Sequence, residues 1–150
     1  MFVQMDHAVK AAPFADLDTT TLYEILRVRS DVFVVEQESP FPEVDGRDTE
    51  PSARHWWIED AGRVVAYLRT LVEPDASIRI SRVVTRASHR HLGLSRTLVQ
   101  EALADADGAV VVDAQAHLEP WYRSLGFEAT GPPFTFPEDE LVHVPMRRLL

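Results

Sequence analysis

Cysteine is absent from this 150-residue sequence. Its absence excludes disulfide bonds, thiolate metal sites and a cysteine nucleophile, and it fits a reducing cytoplasm. Long apolar runs are absent too: none approaches the roughly 18 residues of a membrane span, and the first ten residues lack the basic and apolar segments of a signal peptide. We therefore expect a soluble, cytoplasmic protein without a membrane partner.

Basic residues are scarce relative to acidic ones. Lys and Arg number 15 against 24 Asp and Glu, which gives a formal net charge of -9. Proteins that neutralise nucleic-acid phosphates carry a surplus of Lys and Arg on one face, so we expect no nucleic-acid partner. The chain is 45% hydrophobic, which at this length predicts one globular domain with its own core, spanning residues 1–150.

The hydrophobic pattern predicts alternating helices and strands. Apolar residues at helical spacing, together with Thr21 and Glu24 in a capping-box arrangement, predict a first helix from near Thr20 to about Val34. A loop rich in Pro, Asp and Glu follows over residues 35–52. The remaining elements are strands at 54–60, 63–73, 77–85, 108–116 and 140–149, a long helix from Leu92 or Gly93, and a short helix ended by Gly126.

Two strands carry further information about the sheet. The run at 108–116 is nearly all apolar, which is typical of a strand buried on both faces between helices. Pro145 in the last strand indicates an edge strand or a bulge, because proline cannot donate a ladder hydrogen bond. The order of elements predicts an α/β sandwich with a mixed central sheet flanked by helices.

The segment between the strand ending near Thr85 and the long helix is a candidate anion site. Main-chain N–H groups and the helix dipole favour an anion at such a helix start, and Gly93 would let a ligand approach closely. Arginines at a helix start are equally compatible with simple solvation. No P-loop or dinucleotide-binding glycine pattern occurs. What remains is R-x-x-G-x-S, formed by Arg90, Gly93 and Ser95.

This pattern resembles the acyl-CoA loop of the GNAT N-acetyltransferases, R/Q-x-x-G-x-G/A, with Ser95 where that family has Gly or Ala. Other segments resemble the ElaA-type branch of the superfamily in the same order: "LRVRSDVFVVEQ", "DGRD", "RH", "VAYLR", "RVVT" and "DAQAHLEPWYRSLGF". The resemblance covers nearly the whole chain from Leu22 onwards. It implies a GNAT-like mixed, splayed central sheet flanked by helices.

The resemblance also implies an activity and a cosubstrate. Such proteins move an acetyl group from acetyl-CoA to a primary amine of a small molecule or peptide, by direct attack in a ternary complex without a metal. The main chain of Val83 and Val84 would pair with the pantetheine arm. The pyrophosphate would be held by Arg90, His91, Leu92, Gly93, Leu94, Ser95 and Arg96. "AQAH" would line the acetyl end, and Tyr122 would act as the general acid that protonates the departing thiolate.

Three residues are candidates for the base that removes a proton from the amine: Glu36, His55 and His117. Glu36 lies just past the first helix, where the acceptor is expected to enter, and His117 lies at the end of the buried strand. Each has a structural alternative. Glu36 could be a loop ion-pair partner, His55 a hydrogen-bonded strand histidine, and His117 a donor that fixes the splay. Tyr122 could likewise serve in core packing.

The remaining unusual residues have two interpretations each. Six acids between residues 36 and 50, against one base, could attract a cationic amine or could simply form a solvated loop. Of Trp56 and Trp57, strand alternation places one in the core and leaves the other for a cleft wall or dimer contact. His89 and His91 lack a third ligand nearby, so we expect no metal site.

Two other classes of function stay open from the sequence. The chain could be a non-catalytic acyl-CoA-binding regulatory module of the same fold, in which Tyr122 and Glu36 have no chemical role. It could also be a structural or partner-binding domain whose arginines only solvate a helix end. The sequence is compatible with a monomer or a homodimer.

Overall fold

The computed structural model describes residues 8–149 and shows one sheet of eight strands with helices on both faces. The strands are β1 Lys10–Pro13, β2 Arg54–Asp60, β3 Arg63–Val72, β4 Ile78–Thr85, β5 Val110–Gln115, β6 Glu128–Ala129, β7 Phe134–Thr135 and β8 Val142–Arg148. The helices are α1 Thr19–Arg29, α2 Leu94–Asp105 and α3 Glu119–Ser124, with 3₁₀ turns at Phe14–Asp16, Ala87–His89 and Ala116–Leu118. A π-helix, Ser30–Glu36, continues α1.

The sheet has the order β1-β2-β3-β4-β5-β8-β6, with β7 beside β8. Only β4 and β5 run parallel, and α2 makes the crossover connection between them. The other neighbouring strands are antiparallel. The predicted mixed α/β sheet flanked by helices is therefore confirmed, as is the hairpin β2–β3. The long helix, predicted to begin near Leu92 or Gly93, begins at Leu94 with Gly93 as its N-cap.

The two faces of the sheet bury separate hydrophobic clusters. One face packs against α2 and α3, with Leu98, Val112 and Phe127 in its interior. The other packs against α1, with Ile25 in its interior. Trp56 and Trp57 point to opposite faces, and both are buried, with exposed fractions of 5% and 7%. The expectation of an exposed tryptophan is wrong, because α1 covers the second face.

The start of α1 differs from the predicted capping box. Asp18 is the N-cap residue, and its side chain accepts a hydrogen bond from the Thr21 N–H at 2.7 Å. Glu24 does not close a box: it pairs with Arg27, and its other oxygen is buried without a partner among residues 8–149. The N-cap therefore lies three residues earlier than predicted, with aspartate in place of threonine as the side chain that accepts from a free N–H of the first turn.

Two predictions about strands are also corrected. β5 is not buried on both faces: Val110, Val112 and Ala114 are buried, whereas the residues between them are only half-buried. β8 is not an edge strand, since it lies between β5 and β6. Pro145 has no N–H, and its carbonyl, which lies on the same side of the strand as its nitrogen, accepts from the Thr130 N–H beyond the end of β6. Its main-chain polar side therefore faces the break between two short strands.

Buried ion pairs tie the long loop after the π-helix to α1 and the sheet. Arg29 is fully buried; its Nε donates to Glu43 at 2.8 Å, and its Nη1 donates to Asp48 at 2.6 Å. Arg69 on β3 donates to Asp45 and again to Asp48. The ion pairs offset the free-energy cost of burying these carboxylates only while the guanidinium groups remain beside them. The loop is thus held to the domain by charge pairing.

Replacing Arg29 with Met should lower the free energy of unfolding by about 3 kcal/mol, because two carboxylates would lose a buried partner. Chemical denaturation measures the change. The matched control is Arg123→Met, which removes the exposed pair with Glu119 and should cost less than about 1 kcal/mol. Equal effects of the two substitutions would show that the buried pairing does not hold the loop.

Candidate active site where two strands diverge

The parallel strands β4 and β5 separate after three paired positions. Ile78 to Ile80 pair with Val110 to Val112, and beyond Ile80 the two strands no longer pair. A bulge causes the separation: the β3–β4 register shifts between Tyr67 and Arg69, so that two residues of β4 oppose one residue of β3. Arg82, inside the bulge, has φ +58°. The divergence leaves Val83 at an opening in the sheet.

Two clefts meet at this opening. The larger, about 830 Å³, is lined by the turn at residues 89–93 and the first turn of α2, and we name it the turn cleft. The smaller, about 540 Å³, is lined by the acidic loop, β4, β5 and the segment before β8, and we name it the loop cleft. Six residues line both clefts: Phe33, Gln37, Val83, Gln115, Leu118 and Tyr122. Two ligands entering from opposite sides would therefore meet beside Val83 and Tyr122.

The turn before α2 presents unpaired donors to the turn cleft. In the part of the chain that the structure describes, the main-chain N–H groups of residues 90–96 make no hydrogen bonds to protein atoms. His91 and Gly93 have φ +67° and +77°, and Gly93 is the N-cap of α2 without a side-chain cap. Main-chain donors at a helix N-terminus form an anion site. The geometry fits a phosphate group.

Ser95 leaves these donors accessible. Its hydroxyl lies 2.6 Å from the Thr85 hydroxyl, at the end of β4. This hydrogen bond holds the first turn of α2 against the strand. The side chain of Ser95 is therefore engaged by β4, while its N–H stays without a protein acceptor.

The arginines of this region differ in what they contact. Arg90 makes a two-pronged ion pair with Glu36, in which its Nη2 lies 2.6 Å from Oε2, and its Nε donates to the Thr85 carbonyl at 3.2 Å. Arg96 donates to Ser124 at 2.9 Å and lies over the Trp121 ring. Arg86 pairs instead with Asp31 and does not line the turn cleft. Arg90 and Arg96 thus carry the side-chain positive charge of the turn cleft.

Tyr122 on α3 lies at the junction of the clefts. Its ring packs edge-on against Trp121 and Phe127, and the residue is 4% exposed. Burial raises the pKa of its phenol above the ordinary value. The hydroxyl makes no hydrogen bond to another residue within 8–149, so it is available to a ligand. The Tyr122 ring therefore packs in the core, while its hydroxyl has no partner among the described residues.

The three candidate bases lie in different places. Glu36 is exposed beside the turn cleft, and the Arg90 guanidinium lowers the pKa of its carboxyl. His117 is exposed and also lines the turn cleft. His55 is 1% exposed and lines neither cleft. None of the three faces the loop cleft.

His55 is a hydrogen-bonded strand histidine, which was the structural alternative to a catalytic base. Its Nε2 lies 3.0 Å from the Asp48 carbonyl, which can only accept, so Nε2 carries the proton. Its Nδ1 then accepts from the Tyr67 hydroxyl at 2.6 Å. Burial lowers the pKa of the imidazole. His55 therefore joins the acidic loop to β3 as a neutral group.

The acids of the loop are mostly neutralised. Glu43 and Asp45 both bind Arg82, and Asp48 binds Arg29 and Arg69. The prediction of a solvated loop or a free acidic attractor therefore fails for the three central acids. Sequence reasoning missed these arginines because their partners lie 14 to 39 positions away.

His89 lies 2.7 Å from Asp60 and 2.7 Å from Ser88, away from any third ligand; no group of three or more metal-binding side chains occurs in residues 8–149. Within the same residues, every helix is too short or too polar to cross a membrane.

The structure combines a splayed mixed sheet, a turn whose N–H groups lack protein acceptors, and two joined clefts. The model of the "Acetyltransferase (GNAT) domain" family matches residues 22–150. The chain therefore belongs to the GNAT acetyltransferase family.

Relatives within this family are similar over nearly their whole length. A UPF0039 protein of Mycobacterium tuberculosis is 40% identical over 149 residues, covering 96% of this chain and 94% of that protein. The crystal structure of Escherichia coli ElaA has a TM-score of 0.85 and 30% identity, covering 94% and 98%. An acyl-CoA N-acyltransferase from Pseudomonas aeruginosa has a TM-score of 0.86 and 36% identity, covering 94% and 99%. These similarities confirm the GNAT resemblance and its ElaA-type branch.

The neutral state of His55 predicts a pH dependence of stability. Because the folded state holds the imidazole pKa below its usual 6.5, the unfolded chain takes up a proton first as the pH falls. The contribution of His55 to the free energy of unfolding is complete above about pH 6.5. It declines below that pH by at most about 1.4 kcal/mol per pH unit.

Replacing His55 with Gln, which keeps a donor for the Asp48 carbonyl, should remove this decline between about pH 7 and 5. Denaturation at a series of pH values measures it. The exposed His91, replaced by Gln, is the control and should follow the wild-type course. A His55→Gln protein that declines like the wild type would contradict the assignment.

Proposed function

We propose that this protein is an N-acetyltransferase that moves an acetyl group from acetyl-CoA to a primary amine of a small molecule or peptide. The observation that carries the proposal is the row of unpaired N–H groups at residues 90–96, beside the opening between β4 and β5. An anion site at this place would hold a pyrophosphate while an extended arm reaches Val83. The similarity to an acyl-CoA N-acyltransferase gives further support.

Acetyl-CoA would occupy the turn cleft. Its pyrophosphate would accept from the N–H groups of residues 90–96, and its pantetheine arm would pair with the main chain of Val83 and Val84. Arg90 would exchange the Glu36 carboxylate for a phosphate oxygen. The pair is exposed, so water and salt weaken it. Replacing it with a phosphate contact therefore costs little free energy. Glu36 on this interpretation modulates the donor site and is poorly placed to act as the base.

The amine would enter from the loop cleft. Its nitrogen attacks the thioester carbonyl carbon beside Val83, and the carbon–sulfur bond breaks when the intermediate collapses. Tyr122 would give its phenolic proton to the leaving sulfur. Burial keeps the phenol protonated at neutral pH, as a proton donor requires. Holding both reactants at one opening supplies orientation, which is a large part of such a rate enhancement.

Other properties remain proposals. The apolar side chains Phe33, Phe41, Leu118 and Phe136 line the loop cleft and favour an amine attached to an apolar body. A cytoplasmic location and a monomeric or dimeric state stay predictions. A non-catalytic acyl-CoA-binding module would also bind acyl-CoA at the turn, but it would not require the Tyr122 hydroxyl.

Replacing Gly93 with Glu should weaken acetyl-CoA binding about tenfold or more, because a carboxylate would repel the pyrophosphate. Isothermal calorimetry measures the affinity. Gly62→Glu is the matched control: Gly62 has φ +79°, an added Cβ meets nothing within 4 Å at either glycine, and Gly62 lies in the β2–β3 turn outside both clefts. Absence of binding by the wild type, or equal loss in both variants, would refute the proposed donor site.

Replacing Tyr122 with Phe should lower kcat/KM by roughly 10²-fold or more while leaving the acetyl-CoA affinity unchanged. The ring packing is kept, and no hydrogen bond to another described residue is lost, so the unfolding free energy should also stay the same. Release of the CoA thiol across a panel of primary amines measures turnover. A Phe variant as active as the wild type would remove Tyr122 from the mechanism, and no turnover by either protein would favour the binding module.

A further inference from the structure

His143 on β8 lies on the wall of the loop cleft, one strand away from the junction. It is paired in register with Gln115 of β5, which lines both clefts. Directly paired residues of neighbouring strands place their side chains on the same face of the sheet, about 5 Å apart. The imidazole is therefore directed to the same cleft as the opening beside Val83 and Tyr122.

One hydrogen bond sets the proton position on this imidazole. Nδ1 lies 2.9 Å from the Leu141 carbonyl. A carbonyl oxygen only accepts, so Nδ1 carries the hydrogen and Nε2 of the neutral ring holds a lone pair. The Phe136 ring packs edge-on at 4.9 Å and the Phe134 ring lies at 5.9 Å, so the orientation of the ring is also fixed by packing.

Nε2 remains open to the cleft. It makes no hydrogen bond within residues 8–149. Three side-chain atoms of these residues are both buried and without a hydrogen-bond partner, namely Glu24 Oε2, Arg86 Nε and Arg86 Nη2, and Nε2 of His143 is not one of them. An atom without a protein partner that is not sealed in the interior must contact solvent. His143 is 8% exposed, so this contact is small, and the residue lines the loop cleft.

Most other groups of the loop cleft that could accept a proton are already engaged in ion pairs. Glu43, Asp45 and Asp113 are ion-paired with arginines. The titratable groups on the elements packed against β8 are Asp113 on β5, His117 on the turn after it and Glu128 on β6, and Glu138 and Asp139 precede the strand. Glu128 lines neither cleft. Asp139 accepts from the Leu141 N–H, and His117 faces the turn cleft. Glu138 is exposed and is the remaining competitor.

We infer that His143 Nε2 is the general base that takes the proton from the attacking amine, an inference that rests on the proposed acetyl transfer. An amine that enters as an ammonium ion first gives one proton to Nε2, which passes it to solvent. As the carbon–nitrogen bond forms, a second N–H proton passes to Nε2. The carbon–sulfur bond breaks with its electron pair on sulfur, and sulfur takes the Tyr122 proton. His143 then loses its proton to solvent and Tyr122 regains one, leaving an amide and CoA thiol.

His143→Asn tests the assignment, because the Asn amide can still donate to the Leu141 carbonyl but has no basic nitrogen at the cleft. Two acceptors of the same shape are compared: 2-phenylethylamine, and its 2,2-difluoro analogue, whose lower amine pKa leaves it neutral near pH 7. For 2-phenylethylamine, kcat/KM at pH 7 should fall by about 10²-fold or more. For the difluoro amine the loss should be at least tenfold smaller, because less base assistance is needed.

Three controls separate a base from a structural residue. The Kd for acetyl-CoA should be unchanged in His143→Asn. Phe134→Leu disturbs the packing of the same imidazole from outside both clefts, and it should alter the rates of the two amines equally. In His143→Asn the kcat/KM for 2-phenylethylamine should rise with hydroxide concentration, because hydroxide then has to remove the amine proton.

The possible outcomes are distinct. Equal losses for both amines in His143→Asn, or a selective loss in Glu138→Gln instead, would overturn the assignment and leave the acetyl transfer standing. A wild type that binds acetyl-CoA but releases no thiol with either amine would overturn the proposed transfer to this acceptor class, together with the role of His143. A wild type that fails to bind acetyl-CoA would overturn the donor site itself.

Discussion

The bulge at Arg82 and the carboxylates that hold it are the constraint on which both clefts depend. A non-glycine residue at φ +58° costs about 1 kcal/mol or more. The side chain offsets this strain: its Nε donates to Glu43 at 2.6 Å, its Nη2 donates to the Glu43 carbonyl, and it lies over the Phe41 ring. With the bulge in place, β4 bends away from β5 and the sheet opens at Val83.

The same carboxylates tie the opening to the rest of the domain. Glu43 also binds the buried Arg29 of α1, and Asp45 also binds Arg69 of β3. A shift of the acidic loop would therefore alter the bulge, and with it the main chain that the donor is proposed to contact. The charge pairing also changes the chemistry of the loop cleft, because its central acids are committed to arginines and have little capacity left for a cationic amine.

The sequence predicted what depends on local pattern. Helical spacing located α2, apolar runs on either side of a glycine turn located β2 and β3, and Gly93 marked the turn before α2, since each signal lies within a few residues. Three features depend on distant partners and left no local signal. They are the arginine pairs across 14 to 39 positions, the bulge at a residue that is not glycine, and the two-residue strands that make β8 interior. His143 was missed for the last reason, because a strand taken as an edge gave no cause to place it by a cleft.

The two halves of the proposed site differ in how much the sequence can reveal. The donor side would use main-chain N–H groups, so it would tolerate a change of side chain as long as the turn keeps its shape. Ser95 illustrates this: it stands where the family has Gly or Ala, yet its hydroxyl is held by Thr85 and its N–H stays open. The acceptor side would use side chains, and strand register decides whether a given side chain faces the cleft. A motif can therefore identify the turn, whereas the base has to be found from the pairing of β5 with β8.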